Sequence, residues 1–432
     1  MPTHTRTAGP RDADAADCGC DEGRRLALTR RGVLKALGGT ALLAATVGEA
    51  QFAFGAGAGT KQNVLVTVVL AGGIDGLSVV APIGDPDYAP NRPGIAISPS
   101  KAIQVDTRFG LHPALAPLYP LWTAGKFGAV HAVGQESPTR SHFEAMDELE
   151  RAAPDSSART GWLDRTLGML PAGGALEAVA LGQSGVPGHL RGLHTKLAAQ
   201  KLDDVKLPID AKVTPLSLWQ KSMATLHAGA RPEVSTPMHS ALTAIDLLTT
   251  KVPASAATGG PAYPNNGYGQ GLKDIARLVK ADAGLRVATV QLGGWDTHVN
   301  HGNVDGGVFA PNLKTFADGL AAFAADLGPD FDRVTVLTLT EFGRRVKQNG
   351  NNGLDHGHGC AMLLLGGGVD GGKVHGTWPG LATADLDSGL DLRATTDYRA
   401  VISEILTTRM GVGSTTDVFP GYKAPAVGAV RA

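Results

Sequence analysis

Six short apolar runs, rich in β-branched residues, constrain this chain more than any other feature. The first, Asn63–Leu70, reads NVLVTVVL, and after Asn63 only Thr67 interrupts the hydrocarbon. A half-exposed strand alternates apolar and polar residues, whereas a strand covered on both faces of a parallel sheet reads as a continuous run like this one. Similar runs occupy Gly128–Val133, Leu176–Leu181, Arg286–Leu292, Arg333–Leu339 and Ala361–Leu365. Helical spacing of apolar residues marks Ser141–Arg151, His239–Lys251, Gly271–Ala283, Asn312–Leu327 and Asp397–Thr408. Strands alternating with helices of this length predict an α/β fold with a large, mostly parallel sheet sandwiched between helices. The stretch 182–268 breaks the rhythm with Gly259-Gly260-Pro261 and Pro264-Asn265-Asn266-Gly267, and reads as a less regular insertion or cap segment.

The N-terminus carries a different kind of signal. Thr29-Arg30-Arg31-Gly32-Val33-Leu34-Lys35 matches the twin-arginine export pattern, and a mildly apolar stretch, Ala36 to Val47, follows it. That stretch is too short to be a permanent membrane anchor, and Ala56-Gly57-Ala58 supplies a small-x-small cleavage pattern. Residues 1–58 are therefore expected to be a signal peptide and 59–432 a single α/β domain. The expected partner is the twin-arginine translocation machinery, and the expected destination is the periplasm or the extracellular space. That route carries folded proteins, often with a cofactor already inserted, so a metal or cofactor fits the signal. Lys and Arg number 39 against 40 Asp and Glu, with no basic run, which removes the footprint of a nucleic-acid binder. Of three cysteines, Cys18 and Cys20 fall in the leader, so no disulfide scaffold is expected.

In open α/β sheets ligands bind beyond the carboxyl ends of the strands. Three polar clusters begin there: Gly72-Gly73-Ile74-Asp75-Gly76, Gly293-Gly294-Trp295-Asp296-Thr297-His298 and Glu341-Phe342-Gly343-Arg344. A fourth, Asp355-His356-Gly357-His358-Gly359-Cys360, precedes a strand. Carboxylates mixed with imidazoles suit divalent ions such as Zn²⁺, Mn²⁺ or Ca²⁺, so Asp75, Asp296, His298, Glu341, Asp355, His356 and His358 are candidate metal ligands. Each also has a structural reading: an Asp in a glycine turn can serve only to accept backbone N–H groups.

Ser137-Pro138-Thr139-Arg140-Ser141-His142-Phe143-Glu144 enters a helix. Ser141 and Glu144 have capping-box spacing, which gives Ser141 a purely structural role. A helix N-terminus is also where an anionic substrate is stabilised, with Ser141 or Thr139 as nucleophile and Arg140 holding the anion. The spacing leaves both readings open. There is no H-E-x-x-H, no Walker loop and no complete G-x-S-x-G elbow.

The ordered series GGIDG, Pro86-Asp87-Tyr88, Phe109-Gly110-Leu111-His112-Pro113, TRSHFEAMDELER, Gly161-Trp162-Leu163, GGWDTH, LTEFGR, DHGHG and Val418-Phe419-Pro420-Gly421 resembles the domain-of-unknown-function 1501 family. That family is grouped with the alkaline phosphatase superfamily. The resemblance implies an alkaline-phosphatase-like sheet between helices, two divalent metals and a Ser or Thr nucleophile. By position it makes Asp75 the first aspartate, Asp296 and His298 the next metal pair, and Asp355, His356 and His358 the remaining ligands. Glu341 falls where the superfamily carries Asp-His. The sulfatase motif C/S-x-P-x-R is absent, since Glu136 stands at its first position. The expected function is an exported metal-dependent hydrolase of a small anionic ester, phosphate or sulfate, with Arg140 and Arg344 holding the anion. The alternative is a non-catalytic exported binding or assembly protein with a degenerate metal site.

Overall fold

In the computed structural model, residues 61–136, 138–154, 156–206, 216–253 and 260–431 are described. The export motif and the cleavage pattern lie outside them.

All six apolar runs form strands of one nine-stranded sheet. In chain order its strands are β1 Val64–Leu70, β2 Phe127–Gly134, β3 Ala178–Leu181, β4 Leu197–Ala199, β5 Val287–Leu292, β6 Val334–Leu339, β7 Cys360–Gly366, β8 Val374–His375 and β9 Thr396–Asp397. The order across the sheet is β8-β2-β7-β6-β1-β5-β3-β4, with β9 also pairing to β2. Every pairing is parallel except those of β7, which runs antiparallel to both β2 and β6. The fold is thus α/β with a mostly parallel sheet.

Burial explains why β1 tolerates no polar face: all seven of its residues are buried. Val64, Val66, Val68 and Leu70 point into one core with Leu272, Ile275, Phe316, Leu320 and Phe323. Those partners come from helices α5 (Gly267–Lys280) and α6 (Phe309–Leu327). Leu65, one residue out of phase, joins a second core with Leu149, Trp162, Val401 and Ile405. These come from α1 (His142–Arg151), α2 (Trp162–Met169) and α7 (Tyr398–Thr408). Successive side chains of a strand point to opposite faces, so one continuous apolar run fills two cores.

Within 182–268, β4 extends the main sheet in parallel beside β3. Two helices follow it, α3 (Leu216–His227) and α4 (Pro232–Thr250). Helix α4 starts seven residues before the expected His239 because Pro232 and its fixed φ suit the first turn of a helix. Among the described residues no helix is long and apolar enough to cross a membrane.

Topology decides what meets at the carboxyl edge. Strands β5, β1 and β6 are adjacent and in register, Leu70 opposite Leu292 and Val69 opposite Leu339, so the turns that follow them are neighbours. Strand β2 points the same way as β6, so the segment leading into α1 leaves at the same edge. Because β7 is reversed, it is the segment before it, Asp355–Gly359, that arrives there; Cys360 pairs with Val133 at the end of β2.

Candidate metal centre

Close contact between the turns after β1 and β5 depends on one glycine. Gly72 has φ +119°, and a Cβ there would lie 2.7 Å from the Asp296 nitrogen. Only glycine adopts that conformation freely, and only glycine leaves the space. Arg344 then ties the turns together from within. It is 1% exposed, donating from Nε to the Gly73 carbonyl at 2.6 Å, from Nη1 to Leu354 at 3.0 Å, and from Nη2 to Trp295 at 3.2 Å and Gly72. Nη2 also reaches Asp296 Oδ1 at 2.6 Å. A guanidinium buried among five protein acceptors is not placed to hold an anion, so the expected anion-holding role of Arg344 gives way to a structural one.

Around Asp296 Oδ1 three imidazoles converge. His298 Nδ1 lies 2.8 Å away, His356 Nε2 3.3 Å and His142 Nε2 3.5 Å. One ligand atom from each of His142, Asp296 and His356 lies within 4.8 Å of the others. The far nitrogens are tethered: His142 Nδ1 contacts Glu341 Oε1 at 2.8 Å, and His356 Nδ1 contacts the Arg140 carbonyl at 2.8 Å. Phe342 supports both rings, with centroids 4.8 Å from His142 and 4.7 Å from His356. Burial alone would raise the Asp296 carboxyl, but the Arg344 guanidinium outweighs it and holds the group below the ordinary carboxylate range. Burial pushes His298 below the usual imidazole value against the opposing pull of Asp296, so the ring is neutral at pH 7.

The other sequence candidates go elsewhere. Asp75 is 1% exposed and bound by Arg92 at 2.5 and 3.0 Å, with His301 Nε2 3.7 Å away. Desolvation would raise its carboxyl, yet Arg92 keeps it lowered. A carboxylate with no water needs a partner, and an arginine 17 residues downstream supplies one, so the structure does not bring Asp75 to the cluster. Both nitrogens of His358 are engaged, by Asp387 at 2.7 Å and the Gln135 carbonyl at 2.8 Å. Asp355 accepts from Asn349 at 3.1 Å and lies 3.5 Å from Arg345 Nη1. Glu341 is present but behind His142, where Oε1 also accepts the Gly72 N–H at 2.7 Å.

Ser141 caps α1, its Oγ accepting the Glu144 N–H at 3.5 Å. The reciprocal half of the box differs from expectation: the Glu144 carboxylate accepts from the Thr139 hydroxyl at 2.8 Å, and the Ser141 N–H donates to Thr139 Oγ1 at 3.2 Å. Arg140 pairs with Asp391 at 2.5 Å while remaining half exposed. His142, not among the ligands expected from sequence, joins the cluster. Its sequence signal is an imidazole at the first helical position after a strand end, overlaid by the capping pattern of Ser141 and Glu144. Beside the cluster, a cleft of about 360 Å³ is lined by His142, Phe143, Met146, Asp147, Glu150 and Glu341.

A family model described as "Protein of unknown function (DUF1501)" matches residues 126–418. His142, Asp296, His298, Glu341 and His356 lie inside that stretch and Asp75 lies before it. No curated protein matches the chain. Among solved structures, similarity is found to Ps i-CgsB in complex with k-i-k-neocarrahexaose, at 10% identity, 85% of this chain, 75% of that chain and a TM-score of 0.34. A putative sulfatase from Bacteroides thetaiotaomicron VPI-5482 is similar at 10% identity, 72% and 65% coverage and a TM-score of 0.26. BT1596, a 2-O GAG sulfatase, is similar at 11% identity, the same coverages and a TM-score of 0.25. The chain thus spans about two-thirds of the length of the latter two.

Proposed function

The chain belongs to the DUF1501 family, proteins of unknown function, and we propose that it is an exported metal-dependent hydrolase of a phosphate or sulfate ester, its metal held by His142, Asp296 and His356. The observation that carries this reading is the convergence of two tethered imidazoles on one carboxylate oxygen. Glu341 and the Arg140 carbonyl can only accept, so each tethered Nδ1 carries a proton, and Nε2 is the ring atom that each imidazole turns toward Asp296 Oδ1. His142 Nε2 is buried with no hydrogen-bond partner. A carboxylate or carbonyl behind each ring is the usual support of a metal-binding imidazole.

Two imidazoles and one carboxylate favour Zn²⁺ or Mn²⁺ over Ca²⁺, which takes oxygen ligands. This donor set supports one metal rather than two: among the described residues it is the one group with such geometry. An ion so held supplies Lewis acidity toward an ester oxygen. His298, neutral and partly exposed, can take or return a proton at Nε2 while Nδ1 stays on Asp296. Ser141, Thr139 and Arg140 remain proposed as nucleophile candidates and anion contact at the start of α1, and the twin-arginine leader is the proposed export route. One observation favours the binding-protein alternative: Arg140 and Arg344 are both paired internally, leaving neither committed to an anion.

Metal analysis of the purified chain decides first. About one equivalent of Zn²⁺ or Mn²⁺, lost together with ester hydrolysis in His142→Ala and His356→Ala, is expected. No binding after reconstitution refutes the hydrolase, and stoichiometric binding without turnover on any phosphate or sulfate ester favours the alternative.

A further inference from the structure

The wall of the cleft beside the metal cluster has an unusual composition. Phe143 is 90% exposed, in the first turn of α1 and next to His142. Positions 143, 146, 147 and 150 fall on one stripe of the helix, so Phe143, Met146, Asp147 and Glu150 face the same space, and His142 and Glu341 line it as well. A solvent-facing first turn has no folding reason to present a phenylalanine ring. No lysine or arginine among the described residues lines the cleft. Arg151, the nearest arginine on the helix, is paired to Asp147 at 2.8 Å and Glu148 at 3.2 Å.

We infer that this cleft receives the leaving group of the substrate, and that the leaving group has an apolar body and a cationic centre, as in an aryl- or alkylammonium alcohol. A ring face and a thioether beside Glu150, Glu341 and the Arg151-paired Asp147, three carboxylates against one arginine, attract a weakly hydrated cation, whereas a polyanionic sugar chain would meet repulsion. The substrate is then anionic only at its reacting ester. Hydrolysis breaks the bond between phosphorus or sulfur and the ester oxygen; water gives its hydroxyl to the acid and a proton to the departing alcohol. The term leaving group rests on the hydrolase reading, but the chemistry of the ligand does not.

The probe pair is benzyltrimethylammonium and benzenesulfonate, titrated by calorimetry into the full chain, once with Zn²⁺ and once with chelator. With chelator, where no metal draws the sulfonate, the cation is expected to bind at least about tenfold tighter than the anion, and Phe143→Ala to weaken it by roughly fivefold. Asp147→Asn is expected to narrow the preference. Melting curves of both variants establish that they are folded, and Phe143→Leu, which keeps the bulk without the ring, replaces an unfolded alanine variant. No cation binding, equal or tighter sulfonate binding with chelator, or an unchanged Kd in the phenylalanine variants overturns the inference. Cation binding without Zn²⁺ binding would refute the hydrolase and leave the cleft assignment standing; the reverse result would do the opposite.

Discussion

Replacing Glu341 tests whether the carboxylate behind His142 supports the proposed metal site. Its Oε1 accepts the Gly72 N–H at 2.7 Å and the His142 Nδ1–H at 2.8 Å, and Oε2 lies 3.2 Å from the Thr340 hydroxyl. Glutamine keeps the shape: with its carbonyl in the place of Oε1 both donors stay satisfied, and only the negative charge behind the imidazole is lost. Alanine removes the acceptor, so the His142 ring turns freely and changes tautomer, and the Gly72 N–H is left without its partner. Deleting the group behind a metal-binding histidine costs about 10–100-fold in metal affinity, or about 1.4–2.8 kcal/mol at 1.4 kcal/mol per tenfold. The orphaned N–H adds about 1–3 kcal/mol of fold destabilisation. Zn²⁺ affinity by chelator competition should therefore fall in the order wild type, Glu341→Gln, Glu341→Ala. Only the alanine variant should also melt lower in metal-free form. An alanine variant that binds Zn²⁺ as tightly as wild type would show that Glu341 has no part in orienting His142. A glutamine variant as weak as alanine would show that charge, not ring orientation, is what Glu341 contributes.

Acid should destabilise the fold through three buried imidazoles. Burial pushes His112 and His131 down to about 4 and His301 down to about 3, against an ordinary value near 6.5. As pH falls below 6.5 the unfolded chain binds the protons first, so stability is complete above that value and declines toward pH 4; a melting temperature flat across that window would contradict these environments. Ser141→Ala should lose roughly 0.5–2 kcal/mol of stability as a lost cap, with Ser141→Asp restoring most of it. Turnover per folded molecule lost by orders of magnitude with metal still bound would instead identify Ser141 as the nucleophile. Export is tested by Arg30→Lys combined with Arg31→Lys: the protein should stay uncleaved in the cytoplasm, and mature-size protein outside it would refute the leader.

Strand positions were legible because a strand buried on both faces leaves no choice of residue, and β1 is the clearest case. The convergence of the glycine-rich turns was legible for the same reason, since parallel neighbours must deliver their following turns to one edge. What a strand end cannot reveal is which group will claim a side chain's lone pairs after the turn. Asp75 and Asp296 begin alike, each shortly past a buried strand and a glycine pair. Asp75 points inward and meets Arg92, 17 residues on, in a loop with no periodic signal. Asp296 meets an arginine too, but stays 48% exposed and keeps room for three imidazoles on the same oxygen. His356 and His358 diverge by the same rule: two residues apart, one stands against Phe342 and Asp296, and the other is held between Asp387 and Gln135. His142 reaches the cluster only because β2 and the reversed β7 pair side by side, a topological fact with no local signature. A candidate metal site of this kind is therefore read from sequence as a set of strand ends, and the choice of ligands among them belongs to the arginines and acceptors that occupy the competing candidates.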